Sequence, residues 1–413
     1  MKQYRPLIFF LGLLSIAMAL ASCKTPARLA YRNISSFYNP GSELKGLSCA
    51  CFNVDDSLSR LYVSFPYNQL KYVHENGLDL ARFRFSYQLY DGYESSSLID
   101  SASFNGLDSL RADGRFFDSI ALRINRGKDY ILNVGLYDFA LDKSYGKFIA
   151  IDKEQFSTLN DVLLVGSNNI PLLRNYVYRN ESFRVRANIP NDELKVSFSE
   201  MVFPPATSPY QPPEKPEPEG AAMDSLFTIK MVKGVSEPLR LFATGSYFIQ
   251  QGDRPLLLAQ RFYDGFPEIG SVEKMRESLR YITTDAEYRD MQTKPARVAV
   301  DDFWLKVTGH SERALQQIKR YYTRVEDANR FFTLAFEGWK SDRGMIYIVY
   351  GPPNVVYKNA FIEEWTYGEA GNPLSVRFLF NLQSIQESKF DFVLERSEAY
   401  RTSWHLAVSN WRR

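Results

Sequence analysis

The chain has 413 residues, room for two or three domains. Its 50 Lys and Arg face 48 Asp and Glu, and without Lys2 and Arg5 the charges balance, so no basic arm points to nucleic acid or an acidic polymer as partner. An aromatic content of 15%, with 26 Tyr and 30 Phe, favours strand-rich domains over helical bundles.

Lys2 and Arg5 form a short basic head before an apolar run, Leu7 to Ser22. That run is short for a membrane span and stands at the very N-terminus, so residues 1–22 are expected to be a signal peptide. It ends in "LASC", which resembles a bacterial lipobox. The resemblance implies cleavage before Cys23, with its thiol lipidated and its new amine acylated by palmitate-type chains. Each buried methylene contributes roughly 0.8 kcal/mol, enough for a stable anchor. The alternative is a soluble secreted protein with an incidental cysteine. Lys24 follows, not the Asp that retains lipoproteins in the inner membrane, and "CKTPARLAYRN" lacks the acidic pair of surface-exported Bacteroidetes lipoproteins. The expected address is therefore the outer membrane, facing the periplasm rather than the surface. Residues 23–45 are expected to be a tether.

Two cysteines remain, Cys49 and Cys51. Two apart on a strand, they share a face, and a bridge between them would be strained. They read as two buried thiols or as a redox pair.

Period-two runs then follow: "RLYVSFPY", "ARFRFSYQLY", "SIALRIN", "YILNVGLYDF" and "GKFIAID", separated by "DG", "NG" and "RGKD" turn signals. They predict an immunoglobulin-like β-sandwich over 46–165. A second all-β, sandwich-like domain is expected over 166–264, from "SFRVRANI", "ELKVSFSEMVF", "SLFTIKMV", "PLRLFATGSYFI" and "RPLLLAQRFY". Within it, proline-rich residues 203–220 exclude a central strand and leave a long mobile loop or a polyproline arm for a partner.

From 265 to 413 the pattern changes to α+β. "GSVEKMRESLRYI" and "DAEYRDMQ" predict short helices, and "DDFWLKVTG" a connecting segment anchored by Trp304. A longer helix is predicted from Ser311 to Phe336, with Leu315, Ile318, Tyr322, Val325, Asn329 and Phe332 on one face, ended by Gly338. "MIYIVYG", "EEWTYG", "VRFLFNLQ" and "KFDFVLER" predict four strands, an antiparallel meander packed on the helices.

The run "YYTRVEDANRFFTLAFEGWKSDRGMIYIVYGPPN" followed by "EEWTYG" resembles the GWxTD domain, a module of bacterial envelope and secreted proteins. The resemblance implies a Bacteroidetes-type lipoprotein with this domain at its C-terminus, and brings no established activity. Its motif residues fall on Gly338, Trp339, Ser341, Asp342, Arg343, Gly344, Gly351, Pro352, Pro353, Glu364 and Trp365. Ser341 stands where the name-giving Thr would be and keeps the hydroxyl. Asn354 stands where an Asp is common, and loses a charge.

Physically, Trp339 is suited to the groove between helix and sheet, and Ser341 and Asp342 to accepting backbone N–H groups in a turn. Arg343 is placed to bridge Glu363 or Glu364, and Pro352 and Pro353 stiffen the chain by fixing φ. Of the three histidines, His74, His310 and His405, none has metal-ligand spacing, and no nucleophile elbow or phosphate loop occurs. No catalytic residue, metal or cofactor is assigned. Asp342 with Glu363 or Glu364 is the one carboxylate pair to weigh. The sequence reads as a non-catalytic interaction or scaffold protein with a protein partner in the envelope, such as an outer-membrane assembly or secretion machine. The alternative is an envelope hydrolase or carbohydrate-binding protein.

Overall fold

The computed structural model describes residues 30, 32–39, 46–109, 114–154, 159–189, 193–200, 203–213, 225–252, 254–369, 372, 375–386 and 389–413. The expected signal peptide and Cys23 lie outside them. No helix among the described residues is long and apolar enough to cross a membrane.

Eight strands form the first module: β1 Ser48–Asn53, β2 Leu58–Pro66, β3 Val73–Glu75, β4 Leu78–Tyr90, β5 Leu98–Asp108, β6 Arg115–Arg123, β7 Tyr130–Asp138 and β8 Lys143–Ile151. One sheet runs β1-β2-β6 and the other β3-β4-β7-β8, with β5 also paired to β4. Alternation puts Leu61, Val63 and Leu122 of the small sheet against Phe85, Leu89, Leu132 and Val134 of the large one. Each such fully buried side chain stabilises the module by about 1.5–3 kcal/mol. Cys49 and Cys51 join this core as free thiols, and burial pushes both up to about 12. The two "NG" signals divide. Asn76 and Gly77, both at positive φ, turn the β3–β4 hairpin. Asn105 and Gly106 lie inside β5, where a Cβ on Gly106 would sit 2.1 Å from the ring of Phe83.

The second module is one antiparallel path of seven strands: β9 Val162–Gly166, β10 Phe183–Ala187, β11 Glu193–Ser199, β12 Ser225–Val232, β13 Val235–Ser236, β14 Gly245–Gln251 and β15 Arg254–Arg261. Its order is β15-β14-β11-β12-β13-β10-β9. Leu164, Phe183 and Val185 from one end share a core with Leu194, Val196, Ile249 and Leu256 from the other, so the path folds over on itself.

The C-terminal module begins with helices α1 Val272–Ser278, α2 Asp285–Gln292, α3 Ala296–Thr308, α4 Ser311–Phe332 and α5 Asp342–Tyr350. Strands β16 Val355–Lys358, β17 Ile362–Tyr367, β18 Val376–Gln386 and β19 Lys389–Leu394 form a meander in sequence order, and α6 Arg401–Trp411 closes the chain. Ser271 caps α1, Thr284 and Glu287 make a capping box on α2, and left-handed Gly309 ends α3. The architecture is thus two all-β modules followed by an α+β one.

Several expectations are corrected here. "DDFWLKVTG" is not a connector but most of α3, with Trp304 fully buried. "MIYIVYG" is not the first strand of the meander. It is the body of α5, with Met345 to Val349 buried without exception. A helix buried on every side has no polar stripe, so its sequence carries no period to separate it from a buried strand. The long helix ends at Phe332, ahead of Phe336, because the following chain doubles back onto it: a Cβ on Gly338 would lie 2.1 Å from the carbonyl oxygen of Ala328. Leu315, placed on its apolar face, is 69% exposed; the stripe instead runs through Ala314, Tyr321, Val325, Ala328 and Phe332.

Two stretches expected to be loose are docked. Residues 32–39 are more than a tether: a short 3-10 turn, Ser35–Tyr38, follows Ile34, whose N–H donates to Val356 O at 2.9 Å. Ile34 belongs to the C-terminal core, and the Tyr38 ring packs on Phe331, Phe332 and Trp365. Residues 203–213 of the proline-rich stretch are neither a mobile loop nor a free arm. Ala206 N–H donates to Lys340 O at 3.0 Å and Ser397 N–H to Pro209 O at 3.1 Å, strapping this segment across the C-terminal module. Phe203 packs on Phe336 with centroids 4.7 Å apart. Residues 214–220 lie outside the described residues.

Candidate functional site

The corner between α4 and α5 is built from close backbone approaches. Gly338 N–H donates to Thr333 Oγ1 at 3.0 Å, and a Cβ on Gly344 would stand 2.0 Å from Gly338 O. Only glycine at 344 allows that approach, as only glycine at 338 allows its own to Ala328 O. Between them Trp339 is 2% exposed; its N–H donates to Asn329 Oδ1 at 3.2 Å, and its carbonyl accepts from Tyr281 Oη at 2.8 Å. Ser341 is the N-cap of α5, accepting from Gly344 N–H at 3.0 Å while its hydroxyl donates to Gly338 O at 2.7 Å. The hydrogen-bonding role read for Ser341 is therefore that of a helix cap rather than a free turn.

The charged motif residues Asp342 and Arg343 point into the module. Asp342 takes both arms of Arg396, at 2.6 and 3.0 Å, and the N–H of Leu394 at 2.8 Å. Arg343 donates to Glu363 Oε2 at 3.2 Å and Asp391 Oδ1 at 2.6 Å, its guanidinium lying between the rings of Phe332 and Phe392. Lys358 Nζ also reaches Glu363 Oε2, at 3.0 Å. The other oxygen of Glu363 accepts from Tyr38 Oη at 2.6 Å and Trp365 Nε1 at 2.9 Å. Four donors fill the acceptor sites of one carboxylate.

Burial would raise the Glu363 carboxyl, but Lys358, Arg343 and the two hydrogen bonds overcome it and hold the group at about 2. Burial pulls the Lys358 ammonium down and lifts Asp391 above the ordinary carboxylate range. Arg343 is raised: burial opposes its charge, but Asp391 and Glu363 outweigh that. Burial, reinforced by Glu363, raises Tyr38, which stays a donor.

Arg343 thus bridges Glu363, not Glu364. Glu364 is half-buried and lies 3.8 Å from Arg377. Sequence reasoning left the two open; period two is the signal that separates them, because Glu363 shares the inward face of β17 with Trp365. Each weighed carboxylate has its own cations: Asp342 is engaged by Arg396, Glu363 by Arg343 and Lys358, and Glu364 lies near Arg377. Gly351, at φ 92°, ends α5 beneath Arg324, which caps the helix by donating to Ile348 O at 2.9 Å and Val349 O at 3.3 Å. Burial, then Arg320, draws Arg324 down to about 10. Pro352 and Pro353 follow as the exit from this helix rather than from a strand. Asn354 Oδ1 accepts from Gly368 N–H at 2.9 Å, a contact that needs no charge.

The glycine–tryptophan turn, the capped helix and the meander stand in one order along one segment, and residues 245–413 match the sequence model of the GWxTD domain. The C-terminal part of this chain is a GWxTD domain. The match starts at Gly245 and so takes in β14 and β15 of the preceding sheet. No curated protein matches the chain.

Sequence reasoning missed Tyr38, Lys358, Asp391 and Arg396 as partners of the GWxTD motif. Asp391 carried a signal, an acid between two phenylalanines in a predicted strand; Tyr38 carried none, lying over three hundred residues from Glu363. The strap, the turn into α2 and α6 frame a groove of about 820 Å³ lined by Tyr210, Tyr288, Arg280, Asp285 and His405 among others. Among the described residues, no three His, Cys, Asp or Glu side chains gather as a metal would require.

Proposed function

We propose that this chain is a lipid-anchored, non-catalytic interaction protein of the bacterial cell envelope, held at the outer membrane through Cys23 and facing the periplasm. In this reading the GWxTD domain organises the chain for a protein partner, as an accessory to an outer-membrane assembly or secretion machine. One observation carries the proposal. The motif side chains Ser341, Asp342 and Arg343 are spent on internal bonds, and their partners Glu363, Asp391 and Arg396 tie in the N-terminal segment, the meander and the proline strap. Such a clamp sets how modules are presented, which is what a scaffold needs. Because Trp339 is buried, its loss tests folding, not docking.

The test is extraction of the tagged full chain from its native envelope in mild detergent, beside Cys23→Ala. The expected result is a stoichiometric membrane partner, with palmitate label and membrane association lost in the variant. A wild-type chain that emerges alone, monomeric and unlabelled would sink the proposal. Carbohydrate binding is a second reading, favoured by the aromatic lining of the 820 Å³ groove; a glycan array with Tyr210→Ala as control decides it.

A further inference from the structure

A separate cavity of about 230 Å³ lies where the N-terminal segment, β8 and the GWxTD domain meet. Four basic side chains line it, Lys147, Arg330, Arg343 and Lys358, together with the hydroxyl residues Ser36 and Tyr38. No carboxylate belongs to the lining among the described residues. Glu363 and Asp391, which balance Arg343 and Lys358, are not part of that wall, nor are Glu268 and Asp327, the partners of Arg330. Three of the four lining cations are therefore the cationic halves of ion pairs whose acids lie outside the wall.

One donor there is unused. Arg343 is 6% exposed, yet its Nε has no hydrogen-bond partner. A buried N–H left unpaired is unfavourable, and such groups in native structures call for an explanation. Lys147 and Ser36 are exposed parts of the same lining, so the space is open to solvent.

We infer that this cavity binds a phosphate-class oxyanion, either free phosphate or the phosphomonoester of a lipid headgroup. A tetrahedral oxyanion offers several acceptors at once, which suits a guanidinium N–H, ammonium groups and a hydroxyl converging from different elements. The volume holds the phosphate and the first atoms of an ester. The inference does not depend on the scaffold reading.

The test uses the full chain with Cys23→Ala, so that no acyl anchor confuses vesicle binding. Calorimetry with inorganic phosphate and flotation with phosphatidic acid vesicles, against phosphatidylcholine vesicles, are run on this protein. The same is done with Lys147→Glu and Lys147→Arg added, at an exposed position that leaves folding intact. Saturable 1:1 phosphate binding, weakened about tenfold by Lys147→Glu and kept by Lys147→Arg, supports the site with free phosphate as ligand. Binding to phosphatidic acid vesicles alone, with the same dependence on Lys147, supports the headgroup. Binding to neither, or binding indifferent to Lys147→Glu, overturns the inference.

Discussion

The first β-sandwich and the GWxTD domain solve the burial of charge in opposite ways. In the sandwich the fully buried Lys153 is tied to backbone carbonyls, Asp55 O at 3.0 Å and Ile124 O at 2.8 Å, while the core itself is aliphatic and aromatic. In the GWxTD domain four ionised side chains face each other inside the fold. Apolar packing degrades gradually as volume is lost, whereas a buried ion cluster is specific: removing one member strands the others. The chain offers a means of separating the two, because its five Trp residues all lie within the GWxTD domain. Tryptophan fluorescence therefore follows that domain alone.

The largest effect is expected from Arg343→Met, which leaves Glu363 and Asp391 without their shared partner. The tryptophan-reported stability should fall by about 3–5 kcal/mol in urea. Leu61→Ala, deep in the sandwich, should cost about 2–5 kcal/mol in a far-ultraviolet transition and move the tryptophan midpoint little. Equal responses of both probes to both variants would abolish the contrast.

Acid is the next lever. Glu363 has a folded pKa of about 2, below its ordinary 4.5, so its contribution is complete above about 4.5 and is lost as pH falls through about 2. The shift corresponds to about 3 kcal/mol, partly offset by Asp391, whose raised pKa works in the opposite direction. Between pH 5 and 2 the tryptophan-reported stability should drop more steeply in the wild type than in Glu363→Gln; parallel profiles would place the acid sensitivity elsewhere.

Smaller changes sharpen the picture. Tyr38→Phe removes a hydrogen bond to a charged carboxylate and should cost about 1.5–3 kcal/mol in the GWxTD domain, although residue 38 is remote in sequence. No change in the tryptophan midpoint would mean that the N-terminal segment is not anchored there. Ser341→Ala should cost about 0.5–2 kcal/mol, and Ser341→Thr should restore most of it by keeping the cap.

The same contrast explains what was legible. Alternation exposes a sandwich strand because one face is less buried: β7 runs from Leu132 to Asp138 as buried and half-buried positions in turn. In α5 that signal vanishes, since Ile346, Tyr347 and Ile348 are all enclosed, and their β-branched and aromatic character suggests a strand. Ser341 before the run and Gly351 after it were the overlooked helix signals. The motif itself was visible, but the corner it marks joins two helices, α4 and α5, and there Trp339 packs on Tyr281 rather than in a helix–sheet groove. Of the partners of Arg343 and Glu363, Asp391 was marked only by its place between two phenylalanines, and Tyr38 reaches the cluster through a tertiary contact that no local spacing encodes.

The docked N-terminal segment also defines a load path. Ala30 N–H is bonded to Tyr93 O of the sandwich and Ile34 N–H to Val356 O of the GWxTD domain, so a pull on the N-terminus is shared between two modules at their seam. Cys23 precedes Ala30 by seven residues, a reach of at most about 25 Å when fully extended. The acyl anchor proposed at Cys23 would act as a short rein, holding that seam within this reach of the bilayer.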